Sequence, residues 1–264
     1  MIHSARKLLL FPSLCAFFCA CAPTSPFREA ENLDAKPFNQ LVLAGNACGP
    51  AALLNSYRFG KPAWRKLSED PAGLSDRERI RAITRGPAMR ESSSLPGRAR
   101  WSRNGVNLPD LCDIANEIGR PHLLPQLSNE TLFLKSGESQ RSFLKRVHSR
   151  FATSLKEGFP PILSIRRLVK RNGEWHAIQG HFVTITSVPS SLGSGVNSFA
   201  VRYVDPWGGS FNEGEIRISA RAFLGSDPMK NPNLEAIFPQ PEIGHRFVKS
   251  HEETYMAVSA FLGR

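Results

Sequence analysis

A change of hydrophobic period at Gly158-Phe159-Pro160-Pro161 constrains the fold more than any other feature of the chain. Upstream, apolar residues recur at helical spacing; downstream they follow the period of strands. Phe143, Leu144, Val147, Phe151 and Leu155 form one apolar stripe of an amphipathic helix over Ser142 to Glu157. The glycine and the two prolines end it. Ile162 to Lys170 then reads as a strand, Asn172-Gly173 as a tight hairpin turn, and Glu174 to Val188 as a strand interrupted near Gly180. Phe199 to Asp205 is a further strand. Helices first and antiparallel strands afterwards make an α+β chain, with the N-terminal helical part expected to pack on a C-terminal antiparallel sheet.

Three more helices are expected. One covers Ala51 to Phe59 and stops at Gly60. A second opens on the capping box Ser75-Asp76-Arg77-Glu78 and runs to Arg85. A third opens on Asn107-Leu108-Pro109-Asp110, repeats apolar residues at Leu111, Ile114, Ala115 and Ile118, and ends at Gly119. Residues 61–105 are otherwise Arg-rich and loop-like, a basic insertion. Within it, Glu91 to Gly97 is a mobile stretch, either a passive surface insertion or a cover for a groove.

The first helix begins just after Cys48-Gly49-Pro50. Proline is tolerated in a first turn, so Cys48 lies at a helix N-terminus, where the dipole and free N–H groups favour a thiolate. A cysteine there is more often a small buried hydrophobe than a nucleophile. Two later segments, Gly180-His181-Phe182 and Val204-Asp205-Pro206-Trp207, raise the odds of chemistry. If Val188 pairs with Ser198 across the turn-rich loop Pro189 to Asn197, His181 faces Asp205. A His held by a carboxylate has one tautomer and orientation, as a general base needs. Trp207 is placed to shield the pair from water. His176 competes as base, but it has the opposite strand parity and no evident carboxylate. A His in a strand is commonly structural, and Asp-Pro is commonly a turn. The ordered set of helix-terminal Cys, strand His and strand-end Asp is much rarer by chance.

Cys48-Gly49-Pro50, Gly180-His181-Phe182 and Asp205-Pro206 resemble the papain-like bacteriocin-processing peptidases, known as double-glycine leader peptidases, and their broader relatives. The resemblance covers Phe38 to Leu224, and Asn104 to Gly119 is similar to that family's Gly-Val helix segment. It implies a papain-like fold over residues 38–264, with Cys48 as nucleophile, His181 as base and Asp205 as the orienting carboxylate. The family's oxyanion Gln, six residues before the Cys, is replaced here by Val42. Gln40 and Asn46 are the candidate amide donors, beside the Cys48 backbone N–H. The transporter domains fused to leader-processing members are absent from this sequence, so a bacteriocin-export role is not expected.

The N-terminus reads as a targeting segment. Arg6 and Lys7 precede an apolar stretch, Leu8 to Phe18, too short to span a bilayer comfortably. Phe18-Cys19-Ala20-Cys21 resembles a lipoprotein processing site, which makes residues 1–21 the signal and Cys21 the lipid-bearing first residue. Ordinary cleavage near Ala22 is the rival. Residues 22–37 are polar and proline-containing, a tether. An exported, membrane-anchored bacterial lipoprotein facing the periplasm or exterior follows.

Beyond the anchor only Cys48 and Cys112 remain, too few for a disulfide scaffold. A bridge between them would remove the nucleophile. The formal charge of +11, less Arg6 and Lys7, leaves +9. A basic surface of this kind suits anionic lipid or cell-wall polymer. No zinc-finger spacing, helix-turn-helix or RNA-binding signature accompanies it, so nucleic acid is not an expected partner. No metal or cofactor is expected.

The expected activity is that of an extracytoplasmic cysteine peptidase or amidase acting on a peptide or protein through an acyl-enzyme. Two alternatives stand beside it. One is a non-catalytic module of the same fold that binds peptide or cell-wall polymer. The other is an acyltransferase like the phytochelatin synthases, which also carry Cys-Gly and Gly-His-Phe.

Overall fold

The computed structural model describes residues 26–219, 234–239 and 243–264. The expected signal segment and Cys21 lie outside them. Among the described residues no helix is long and apolar enough to cross a membrane.

Among the described residues five α-helices arise mainly where the sequence signals them. Helix α1 (Cys48–Arg58) is buried from Gly49 to Tyr57. Helix α2 (Pro62–Glu69) follows with proline in its first turn. Helix α3 (Asp76–Arg85) carries the expected capping box in full. Helix α4 (Leu108–Gly119) is capped by the Asn107 side chain, which accepts from the Asp110 N–H. Helix α5 (Gln140–Lys156) buries the expected Phe143, Leu144, Val147, Phe151 and Leu155.

The strands are β1 (Phe27–Glu29), β2 (Trp101–Ser102), β3 (Gly105–Val106), β4 (Ser128–Thr131) and β5 (Ile162–Arg171). After these come β6 (Glu174–Pro189), β7 (Ser198–Asp205), β8 (Ser210–Ile218), β9 (Leu234–Ile237) and β10 (Thr254–Gly263). The β5–β6 turn has positive φ at both Asn172 (51°) and Gly173 (82°), as the Asn-Gly pair demands.

The expected papain-like packing of helices on an antiparallel sheet is overturned here. The strands run β6-β5-β10-β9-β8-β7, and β7 pairs back onto β6, closing a six-stranded antiparallel barrel. Strands β1 and β4 are additions, on β6 and β10 respectively. Two physical causes produce closure. The segment after Asp205 supplies three strands whose hydrophobic alternation is weak or masked. Register shifts in the β5–β6, β6–β7 and β10–β5 ladders bend the long strands, so that β6 pairs with β5 along one part and with β7 near its end. The barrel dominates the molecule, and the helices are its accessories.

One core fills the barrel with Leu163, Ile165, Val183, Ile185, Tyr203 and Val258, among others, and α5 adds Phe143, Val147 and Phe151 to it. Because α5 touches β6, β8 and β10, which are not neighbours around the ring, it lies across one barrel end. A second core joins α1, α2, α3 and α4 and meets the outer barrel surface at Phe182, Ala260 and Leu262.

Two organisational expectations change. Residues 22–37 were expected as a tether, yet Phe27–Glu29 pair with Ser187–Pro189, because their backbone groups find an open strand edge. The basic insertion is less loop-like than expected. The buried Arg79 guanidinium donates to the carbonyls of Glu69, Asp70, Pro71 and Leu74. Ser92 Oγ bonds both Asp110 carboxylate oxygens at 2.8 Å, which ties the expected mobile stretch to α4.

Candidate active site

Cys48 stands in the first turn of α1 with its neighbours held from three sides. Asn55, buried one face up the same helix, accepts from the Phe38 N–H at 2.7 Å and donates to the Phe38 carbonyl. Two residues on, the Gln40 N–H donates to the Pro206 carbonyl at 2.8 Å, which ties this segment to the Asp205-Pro206 turn. On the barrel side, Thr184 Oγ1 donates to the Ala52 carbonyl at 2.9 Å. The helix of Cys48 is thus fixed to the strand of His181 and to the strand end of Asp205. Gly49 permits the third contact: a Cβ there would lie 2.3 Å from Val106 Cγ1.

His181 and Asp205 are both buried, and His181 Nε2 donates to Asp205 Oδ1 at 2.7 Å. The same oxygen accepts the Trp207 backbone N–H at 2.8 Å. The register differs from the expected one. Thr184 pairs with Val204, so Asp205 stands opposite Val183, two residues from His181. A slip of two preserves side-chain parity, which is why the pair survives it. With Nε2 committed to Asp205, Nδ1 is the ring nitrogen left for Cys48, whose thiol lies close enough to His181 for each to shift the other's pKa.

Electrostatics favour an ion pair. Burial pushes the Cys48 thiol upward, but the bond and charge of His181, with the backbone N–H groups of Phe182 and Gly49, outweigh it and hold the pKa below the ordinary value. For His181, burial acts downward, and the bonds to Asp205 and Cys48 override it, raising the pKa to about 9. Cys112 is the opposite case. It is buried among apolar side chains, burial pushes its pKa up, and its Sγ donates to the Leu127 carbonyl at 3.4 Å. Both cysteines are free thiols, so the Cys48–Cys112 bridge does not form.

Cys48, His181, Asp205, Asn46 and Trp207 all line one open cleft of about 1120 Å³ between α4 and the barrel wall. Trp207 is partly exposed, and its ring covers Gly45, where a Cβ would be 3.5 Å away. Asn46 lines the cleft, and its side-chain amide donates to the Ser102 carbonyl at 3.0 Å. Gln40 is elsewhere. It is fully buried, its amide donates to the Gly45 carbonyl at 2.5 Å, and it is not among the described residues lining the cleft. His176 is exposed on β6 beyond a bulge at Ile178 and also does not line it.

Thr184 and Asn55 position the site and were not singled out from sequence. A polar residue inside an otherwise buried apolar helix was the available signal for Asn55. Among the described residues no group of His, Cys, Asp and Glu is arranged to hold a metal. In comparisons with known proteins, no family model matches this chain and no curated sequence is significantly similar to it.

Proposed function

We propose that the protein is a cysteine peptidase or amidase, and the Cys48–His181–Asp205 chain at the base of an open cleft carries that reading. His181 Nδ1 takes the Cys48 proton, and the thiolate attacks a peptide carbonyl carbon to form the C–S bond. The tetrahedral oxyanion receives the Cys48 backbone N–H and the side-chain amide of Asn46. Its collapse expels the amine, which takes the proton from His181. Water, deprotonated by His181, then cleaves the thioester and restores the thiol. Asp205 holds the imidazole in one tautomer and stabilises its charged form. Asn46 is preferred over Gln40 as side-chain donor because it faces the cleft, and its loss should lower turnover by ~10²–10³. Export with a lipid on Cys21 belongs to the same reading, and intact mass spectrometry of the native protein tests it.

Iodoacetamide alkylation and peptide hydrolysis test the chemistry together. Alkylation of Cys48 should already be fast at neutral pH, because its thiol pKa is lowered, whereas Cys112 should react slowly, being buried and raised. Hydrolysis should fall as pH rises through about 9, where His181 loses the proton needed by the leaving amine, while alkylation stays high. Cys48→Ala should abolish hydrolysis and His181→Ala nearly so. Asp205→Ala should leave a measurable remainder, with non-additive losses in combination. Full hydrolysis by the Cys48→Ala protein, or a Cys48 no more reactive than Cys112, would end the proposal.

A further inference from the structure

The cleft carries an unusual charge balance. Its lining includes three arginines, Arg103, Arg166 and Arg246, and one carboxylate, Asp205, which is already bonded to His181 and Trp207. Arg103 sits at the β2–β3 turn and Arg246 in the short helical turn His245–Phe247, both exposed. Arg166 differs from them. It is half-buried on β5, and its side chain has no hydrogen bond, ion pair or ring contact among the described residues.

Its neighbours show what a structural arginine does on this strand. Arg167 donates to the Ile243 carbonyl and to Thr254 Oγ1 and contacts His245. Arg171 forms a two-bond pair with Glu252. Arg166 instead pairs across the ladder with Gly180, the residue before His181. Gly180 has no side chain, and a Cβ there would touch the Arg166 stem at 4.0 Å. The guanidinium therefore borders the cleft beside the catalytic histidine. A half-buried cation without a counter-charge is disfavoured, and burial alone pushes its pKa down. A planar guanidinium matches a carboxylate with two parallel hydrogen bonds.

We propose that Arg166 is a carboxylate-binding, specificity-determining residue, and that the cleft takes peptides carrying a carboxylate close to the bond presented to Cys48. This rests on the reading of the cleft as a peptide site. The carboxylate is either an acidic side chain or a free C-terminus; Arg103 and Arg246 add long-range attraction for either.

The test uses the Cys48→Ala protein, so that binding is read without turnover. Fluorescence polarisation would follow fluorescein-labelled alanine pentapeptides with a single Glu or Gln scanned through every position, and with the C-terminus free or amidated. At low salt, one Glu position or the free C-terminus should tighten binding on the order of ten- to a hundredfold over its neutral counterpart. The register or terminus that responds identifies the source of the carboxylate. Adding Arg166→Gln should bring the charged peptide to the neutral level with an unchanged melting temperature, and Arg166→Lys should recover part of the preference. Absence of binding, equal binding of charged and neutral peptides, or a preference that survives Arg166→Gln overturns the proposal. So does displacement by inorganic phosphate without Glu–Gln discrimination, which would assign the arginine to phosphoryl ligands. Failure of the catalytic reading is seen separately, as a wild-type Cys48 inert to iodoacetamide.

Discussion

Gly49 separates Cys48 from the rest of its helix, and Val106 presses on it so closely that no side chain fits. Gly49→Ala should therefore force α1 away from β3, at a cost of about 1–3 kcal/mol, and slow Cys48 alkylation. Val106→Ala should restore both if the contact is the cause; thermal unfolding and alkylation rates read the pair. At this scale the sequence was informative about reactive groups and poor about what aims them. Cys48, His181 and Asp205 announce themselves through Gly-Pro, Gly-His-Phe and Asp-Pro, because those neighbours shape the local backbone. Gln40 and Asn46 were indistinguishable, since both are amides a few residues before the cysteine. Which amide faces the cleft depends on the turn of Gln40–Val42, where the Gln40 side chain folds back onto Gly45.

Elements were legible where a local signal closes on itself. Ser75 and Glu78 cap α3 reciprocally, with Ser75 N–H to Glu78 Oε2 at 2.8 Å and Glu78 N–H to Ser75 Oγ at 3.3 Å. Ser75→Ala should cost about 1 kcal/mol in chemical denaturation and leave Cys48 reactivity intact. Helix α2 was missed because only Trp64 and Leu67 among its larger apolar residues are buried, too few to show a period. Strand β8 was missed because Ile216 is its one buried residue, and β10 because nearly every residue is buried, so no alternation appears. Arg166 shows the same limit. Arg166 and Arg167 are adjacent in sequence, yet one is bonded to a carbonyl and the other borders the cleft, because alternate strand residues face opposite ways.

At the scale of the molecule, α5 links the barrel's end to its interior through Phe151, which stacks on Phe261 with ring centroids 5.9 Å apart and meets Phe199 edge-on. Phe151→Ala should cost about 3–5 kcal/mol and lower the whole unfolding transition, since α5 touches strands spread around the ring. A separate early transition of the barrel would show that α5 is dispensable. By itself the sequence determined that helices α1, α3, α4 and α5 precede strands β5, β6 and β7, that α5 ends at the two prolines, that a hairpin turns at Asn172-Gly173, and which Cys, His and Asp are candidates for one site, all of which rest on local chemistry. Only the tertiary structure decided that the sheet closes. Closure depends on the three strands after Asp205 and above all on β10 returning to β5, where Thr254 stands opposite Val169 and Leu262 opposite Ile162, pairings between residues far apart in the chain. No window of sequence contains both partners of such a pair. The cleft, its amide donor and its unpaired arginine exist only because those pairings bring the outer barrel wall against α1 and α4.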